Sequence, residues 1–163
     1  MSTLSSNWFS PTSSPYNLLL GGNRLSDVLD SRSASNAALC AFPQLSVLDL
    51  SHNGIKSLTD ANAFKCLAKS GLTQLELTGN GISKIAANAF EPLTSLYRLL
   101  LNQNNLTSLA AGTFKNNTFL KTLRLDQNKI SSLGANVLSP LKRLRSLNLS
   151  SNALKSLNAD QFS

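Results

Sequence analysis

Two carboxylates and one histidine are the residues of this chain whose types and spacing come nearest to catalytic chemistry. Asp49 and Glu76 occupy equivalent positions in two similar segments, and His52, the only histidine, follows Asp49 by three residues. Equivalent positions on neighbouring strands lie about 4.8 Å apart, so the two carboxylates should be close together. A carboxylate pair beside an imidazole could transfer protons or hold a metal ion.

A solvated polar face explains the same three residues, and we favour that interpretation. The face on which they are expected is open, so it excludes no water and should shift pKa values little. The sequence also contains no nucleophile-elbow motif, no metal-ligand spacing and no dinucleotide fingerprint. We therefore predict that the protein is not an enzyme and has neither a metal site nor a cofactor.

A basic cluster points to a different chemistry, the binding of an anionic partner. The net charge is +7, and residues 81–163 hold ten basic and three acidic side chains. Such asymmetry favours an acidic protein surface or a nucleic-acid backbone as partner. The cluster is expected to project from successive strands and consists of Tyr97, Arg98, Leu100, Lys121, Arg124 and Arg145.

Three interpretations of this cluster stay open: a solvated basic surface, a contact with another protein, or a nucleic-acid site. Tyr and Arg are enriched among the residues that dominate binding energy, and an outward Leu100 would add an apolar contact. We take these six residues, with Asp49 and Glu76, as the predicted ligand-binding set.

The elements that must position these side chains are copies of one short segment. Each copy alternates like a strand, turns at an asparagine and continues with further apolar residues. The copies are PYNLLLGGNRLSDV (15–28), LSVLDLSHNGIKSL (45–58), LTQLELTGNGISKI (72–85), LYRLLLNQNNLTSL (96–109), LKTLRLDQNKISSL (120–133) and LRSLNLSSNALKSL (144–157). Their aligned asparagines are Asn23, Asn53, Asn80, Asn104, Asn128 and Asn152. One copy cannot fold alone, because its apolar side chains are covered only by its neighbours.

The common pattern, L-x-x-L-x-L-x-x-N-x-L, resembles the leucine-rich repeat family over residues 15–163. Its 24-residue form, with a large apolar residue ten positions after the asparagine, is similar to Toll-like receptor ectodomains. The resemblance implies an α/β leucine-rich repeat solenoid. Its concave face would be a parallel β-sheet, its convex face would hold loops and short 3-10 or helical turns, and it would have no complete caps. The asparagines would form a ladder from coil to coil.

The domain organisation follows from the same repeats. We predict a polar, disordered N-terminal segment at 1–14 and one repeat domain at 15–163. The repeats are expected at 15–44, 45–71, 72–95, 96–119, 120–143 and, incompletely, 144–163.

The two cysteines, Cys40 and Cys66, lie 26 residues apart, which is roughly one coil. Both fall in the irregular part of a long repeat, so a disulfide between adjacent coils is sterically conceivable. Two buried thiols acting as small apolar fillers are the alternative.

These observations predict a non-catalytic macromolecular recognition module that uses its concave face and has another protein as partner. The resemblance implies receptor-type ligand binding, innate-immune or cell-surface signalling, and an extracellular or cell-surface location. An intracellular scaffold or adaptor in the cytoplasm is the alternative, since residues 1–14 do not read as a signal peptide. Nucleic-acid sensing through the basic half is a further alternative. No apolar run is long enough to predict a membrane span.

Overall fold

A computed structural model gives the structure of the protein, described here for residues 16–162. The predicted N-terminal segment at 1–14 lies outside the described residues. Within the described range, none of the helices has the length and apolar character needed to cross a membrane.

Six three-residue strands, one from each repeated segment, form a single parallel sheet. They are β1 (Asn17–Leu19), β2 (Val47–Asp49), β4 (Gln74–Glu76), β6 (Arg98–Leu100), β8 (Thr122–Arg124) and β10 (Ser146–Asn148). Their middle leucines pair in register, from Leu18 with Leu48 to Leu123 with Leu147. The predicted parallel sheet is therefore confirmed.

The opposite side of the coils consists of short turns and two small strand pairs. β3 (Ser57–Leu58) pairs with β5 (Lys84–Ile85), and β7 (Ser108–Leu109) pairs with β9 (Ser132–Leu133). A six-residue helix, α1 (Ala34–Leu39), and two 3-10 turns (Lys65–Leu67 and Ala159–Gln161) complete it. α1 begins at Ser33, whose hydroxyl accepts a hydrogen bond from the Asn36 N–H at 3.0 Å, an ordinary helix N-cap. The convex side is therefore made of loops and short helical turns, as predicted.

The core runs along the solenoid between these two sides. The strand leucines alternate inward, and the middle leucines of β2, β4, β6 and β8 are fully buried. Toward the convex side, the rings of Phe64, Phe90 and Phe114 stack with successive centroids 6.0 Å apart. The Phe90 ring is covered on both sides by the rings of the neighbouring coils, so the apolar area of one coil is buried only when the next coil is present.

The aligned asparagines lie one above another where the chain leaves the sheet. Asn104 shows the pattern: its Nδ2 donates to the carbonyls of Leu77 (2.9 Å) and Leu101 (3.0 Å). Its Oδ1 accepts from the N–H groups of Gly81 and Ile82, both at 2.9 Å. The same donation to the preceding coil, at 2.8–2.9 Å, is made by Asn53, Asn80, Asn128 and Asn152. Asn23, in the first described coil, donates to Leu20 of its own coil at 2.9 Å. These bonds satisfy backbone groups that the turn would otherwise leave unpaired.

The residue immediately before each of these asparagines adopts a left-handed backbone conformation. The φ values are 72° at Gly22, 53° at His52, 68° at Gly79, 58° at Gln103, 56° at Gln127 and 54° at Ser151. Glycine takes this conformation freely, whereas other residues take it at a cost. At Gly79 a Cβ atom would also crowd the His52 ring, which would have to move, so two features favour glycine there.

Candidate recognition surface

The concave face brings the predicted acidic, apolar and basic side chains into one row. Strand pairing places Asp49 beside Glu76, Glu76 beside Leu100, and Leu100 beside Arg124. The row therefore changes from acidic to basic along the solenoid, with Leu100 at the point of change. Arg98 lies two residues before Leu100 on the same strand and is exposed.

The acidic end of the row is held by local hydrogen bonds. An oxygen of Asp49 accepts from the Ser51 N–H at 2.8 Å, and the Thr78 hydroxyl donates to Glu76 at 3.5 Å. Burial, followed by the nearby charge of Asp49, raises the pKa of the Glu76 carboxyl. We expected an open face to shift pKa values little. The shift that the Glu76 carboxyl does have arises because the concave face buries part of its side chain.

Metal binding finds no support in this arrangement. In the part of the chain that the structure describes, no three His, Cys, Asp or Glu side chains are grouped to hold a metal ion. His52 packs at the turn against Gly79. The acidic pair therefore has the geometry of a polar surface feature.

Leu100 corrects one sequence-based expectation. It does point to the concave side, but only 6% of its surface is exposed, whereas Tyr97 is 46% exposed. Leu100 is also not part of the continuous core between the two faces. The long side chains of Glu76 and Arg124 flank it at strand spacing, which buries it among them. Leu100 therefore supports its neighbours and offers little apolar surface to a partner.

Arg124 differs from the other cations of the cluster, because a neighbouring carboxylate neutralises it. Its Nε and Nη2 donate to the two oxygens of Asp126 at 2.9 and 2.7 Å, and the Asp126 side chain is only 3% exposed. Residues two apart on a strand share a face, so the L-R-L-D order contained the signal for this pair. The hydrogen bond to Asp126 raises the pKa of the guanidinium, which stays charged.

The remaining cations of this surface lie near the start of the strands, and two of them cover aromatic rings: the half-buried Lys121 and the exposed Arg143. Lys121 Nζ lies 4.6 Å from the centroid of the Tyr97 ring, and Arg143 Cζ lies 4.4 Å from that of Phe119. Both are cation–π distances. We call the surface formed by Tyr97, Phe119, Lys121, Arg143 and Arg145 the basic margin. A shallow depression in it is lined by Lys121, Lys142, Arg143, Leu144 and Arg145.

Phe119 is the member of the basic margin that our sequence reasoning missed. Its signal was the repeat period itself, since Tyr97 and Lys121 differ by 24 positions, and so do Phe119 and Arg143. A ring on one coil therefore lies against the cation at the same position of the next coil.

The cations of the basic margin have no carboxylate partners in the described structure. The ion pairs found between residues 16 and 162 are Arg32 with Asp30 and Arg124 with Asp126. Arg98 forms none either. Lys121, Arg143 and Arg145 therefore present positive charge to an incoming anion, and so does Arg98, whose charge also acts on the Glu76 carboxyl.

The two cysteines lie on the convex side, away from this surface. Cys40 is the residue at which α1 ends and is exposed, whereas Cys66 belongs to the 3-10 turn Lys65–Leu67 and is half-buried. The structure shows both as free thiols.

Comparison with solved structures gives two receptor structures of the same fold. The chain is 29% identical to TLR13 in the crystal structure of its complex with ssRNA13, with a TM-score of 0.72 over 84% of this chain. It is 24% identical to the Toll structure in the Drosophila Toll–Spatzle complex, also with a TM-score of 0.72, over 90% of this chain. In both cases it spans 18% of the length of the other chain.

Among curated protein sequences, none matches this chain significantly. The family model described as "Leucine rich repeat" matches three overlapping ranges, 43–104, 70–118 and 94–154. Together these ranges cover more than half of the sequence, and they contain five of the six parallel strands. The chain belongs to the leucine-rich repeat family.

Proposed function

We propose that the protein is a non-catalytic recognition module whose basic margin and adjoining concave face bind an acidic segment of another protein. The observation that carries this proposal is a set of four cations that form no ion pair among residues 16–162: the exposed Arg98, Arg143 and Arg145, and the half-buried Lys121. A solvated surface would normally intersperse charges of both signs. Here the four cations project from three adjacent coils.

The aromatic rings strengthen the proposal, because they hold two of the cations in place. A lysine or arginine loses side-chain entropy when it is fixed by a partner. Lys121 and Arg143 already rest on Tyr97 and Phe119, which reduces the entropy that binding must still overcome. Both rings remain about half exposed, so they offer apolar contact beside the charges.

Nucleic-acid binding is the second candidate, and a specific observation favours it. Cations interleaved with aromatic rings are also how proteins bind single strands, by neutralising phosphates and stacking bases. One of the solved relatives is described as a complex with single-stranded RNA, and the other as a complex with the protein Spatzle. We favour a protein over a nucleic acid as the partner, because a cation already covers one face of each ring and prevents a base from stacking there.

The test is a fluorescence anisotropy titration of two probes, a labelled peptide rich in Asp and Glu and a labelled single-stranded RNA. The test variant carries Arg98→Glu, Lys121→Glu and Arg145→Glu. The control variant carries the same charge change at exposed lysines outside the margin, Lys56→Glu, Lys84→Glu and Lys129→Glu. We expect the peptide affinity to fall at least about tenfold in the test variant and two- to threefold in the control.

Equal losses in the two variants would show that only net charge matters, and would refute a site at the basic margin. Tight binding of RNA alone would replace the first candidate with the second. In that case the logarithm of affinity should fall steeply and linearly with the logarithm of salt concentration.

The receptor role and the location are part of the same proposal. The likeness to Toll and TLR13 supports a receptor-type module at the cell surface or outside the cell, with the intracellular scaffold as the alternative. An epitope-tagged protein in its own cells distinguishes the two. Antibody staining without permeabilisation supports the receptor-type role, and staining only after permeabilisation supports the scaffold.

A further inference from the structure

The convex side of the first two coils brings the two cysteines together. Asn36 joins these coils, because its Nδ2 donates to the carbonyl of Val28 in its own coil and of Ala63 in the next, both at 2.8 Å. Cys40 lies one helical turn after Asn36, and Cys66 lies three residues after Ala63. On each of the two adjacent coils, the cysteine therefore comes a few residues after the place where the Asn36 hydrogen bonds join the coils.

The environment of the two thiols differs. The Cys40 side chain is exposed, with its Sγ 3.9 Å from the Asn36 carbonyl oxygen. The Cys66 side chain packs in part against the core, and the Cys40 thiol is near enough to contribute to the raised pKa of Cys66. The flanking residues Phe64 and Leu67 are buried, which fixes the turn that carries Cys66.

From this geometry we infer that Cys40 and Cys66 are a preorganised pair that closes to a disulfide between the first two coils. The inference is independent of the recognition function, since the pair lies on the convex side. The bond would link two adjacent coils covalently across a 26-residue interval, where the fold otherwise relies on hydrogen bonds and packing.

The chemistry needs a two-electron oxidant, which would be a low-molecular-weight disulfide such as glutathione disulfide. The Cys40 thiolate attacks one sulfur of the oxidant, forms a mixed disulfide and releases one glutathione thiolate. The Cys66 thiol then loses its proton, attacks the Cys40 sulfur and displaces the second glutathione. Two protein thiols are oxidised by two electrons, and one glutathione disulfide is reduced to two glutathione molecules.

The order of the two steps follows from the environment of each thiol. Burial, together with the contact with Cys40, raises the pKa of Cys66 to about 12. Because the thiolate is the nucleophile, Cys66 reacts slowly with a disulfide in solution. Cys40, which is exposed, is the thiol that meets the oxidant first.

The test measures the disulfide equilibrium of the whole chain in glutathione redox buffers. Intact mass distinguishes the intramolecular disulfide, which loses two hydrogens, from glutathione adducts. We compare the value of [GSH]²/[GSSG] at which half of the protein holds the intramolecular disulfide. This value should be at least about tenfold higher for the folded protein than for the same chain in concentrated urea. The single variants Cys40→Ser and Cys66→Ser are the matched controls. Cys66→Ser should take up one glutathione readily, and Cys40→Ser should do so at least about tenfold more slowly.

Two results would overturn the inference. One is half-formation of the disulfide at the same [GSH]²/[GSSG] in the folded protein and in urea, which would show that the fold does not bring the thiols together. The other is a folded wild-type protein that accumulates glutathione on both cysteines without closing. Circular dichroism of each variant ensures that the comparison is made on folded protein.

Discussion

Replacing Asn104 by alanine tests whether the asparagine ladder carries the stability of the solenoid. The Asn104 amide bonds the N–H groups of Gly81 and Ile82 and the carbonyl of Leu77, all at 2.9 Å across the coil boundary. Alanine removes the acceptor of the Gly81 and Ile82 N–H groups and of the Asn80 N–H (3.2 Å), at about 1–3 kcal/mol for each group left without a partner, and some of this is recovered by relaxation or water. The Leu77 carbonyl still accepts from Asn80 Nδ2 at 3.0 Å. We expect the free energy of unfolding to fall by about 3–5 kcal/mol.

Asn23 provides the matched control within the same chain. Among the described residues, its Nδ2 bonds carbonyls of its own coil, Leu20 at 2.9 Å and Gly21 at 3.4 Å. Asn23→Ala should therefore cost about 0.5–1 kcal/mol, as for an ordinary partly exposed hydrogen bond. Urea unfolding followed by circular dichroism compares the two variants, and hydrogen exchange should show faster exchange at the amides of Gly81 and Ile82 in Asn104→Ala. Equal destabilisation by the two substitutions would refute the reasoning.

Substitutions at three further places test other parts of the fold. Gln103→Gly or Gln127→Gly removes the cost of holding a residue with a side chain in the left-handed conformation, and should raise the free energy of unfolding by about 0.5–1 kcal/mol in urea titrations. An unchanged free energy of unfolding would contradict the proposed backbone strain. Arg124→Ala leaves the buried Asp126 carboxylate unpaired and should cost about 2–4 kcal/mol, most of which Asp126→Asn in the same chain should restore. Because the pKa of Glu76 is raised in the fold, the fold gains stability as pH falls through that pKa toward the ordinary value. In thermal unfolding from pH 7 to 4, Glu76→Gln should abolish that gain, and it should stabilise the protein at pH 7 by less than about 1 kcal/mol. A pH profile of stability that is the same in Glu76→Gln and wild type would contradict this reasoning.

The sheet and its register could be predicted because the repeat fixes them. Once the leucines and asparagines align, each outward position is paired with its counterpart one period away, which places Asp49 beside Glu76 from the sequence alone. The same period would have predicted the pairing of Phe119 with Arg143, since both residues occupy one position of successive coils.

Side-chain burial on the concave face could not be predicted in this way. Position on a strand gives the direction of Leu100, but its low exposure depends on the conformations of the side chains around it, which the repeat pattern does not give. The neutralisation of Arg124 likewise depends on the side-chain conformation that reaches Asp126. The left-handed residues could be predicted only in part. Glycine precedes the asparagine at Gly22 and Gly79, which indicates a positive φ, whereas Gln103 at the same position gives no such indication.

The most direct test of the recognition proposal is to map lysine reactivity with and without the bound acidic peptide. Acetylation followed by mass spectrometry reports each lysine separately, at a peptide concentration that saturates the anisotropy signal. Our account predicts that Lys121 in the basic margin and Lys142, which lines its depression, are protected several-fold, while Lys84 and Lys129 react as in the free protein. Equal protection of all four lysines, or protection of Lys84 and Lys129 alone, would contradict it.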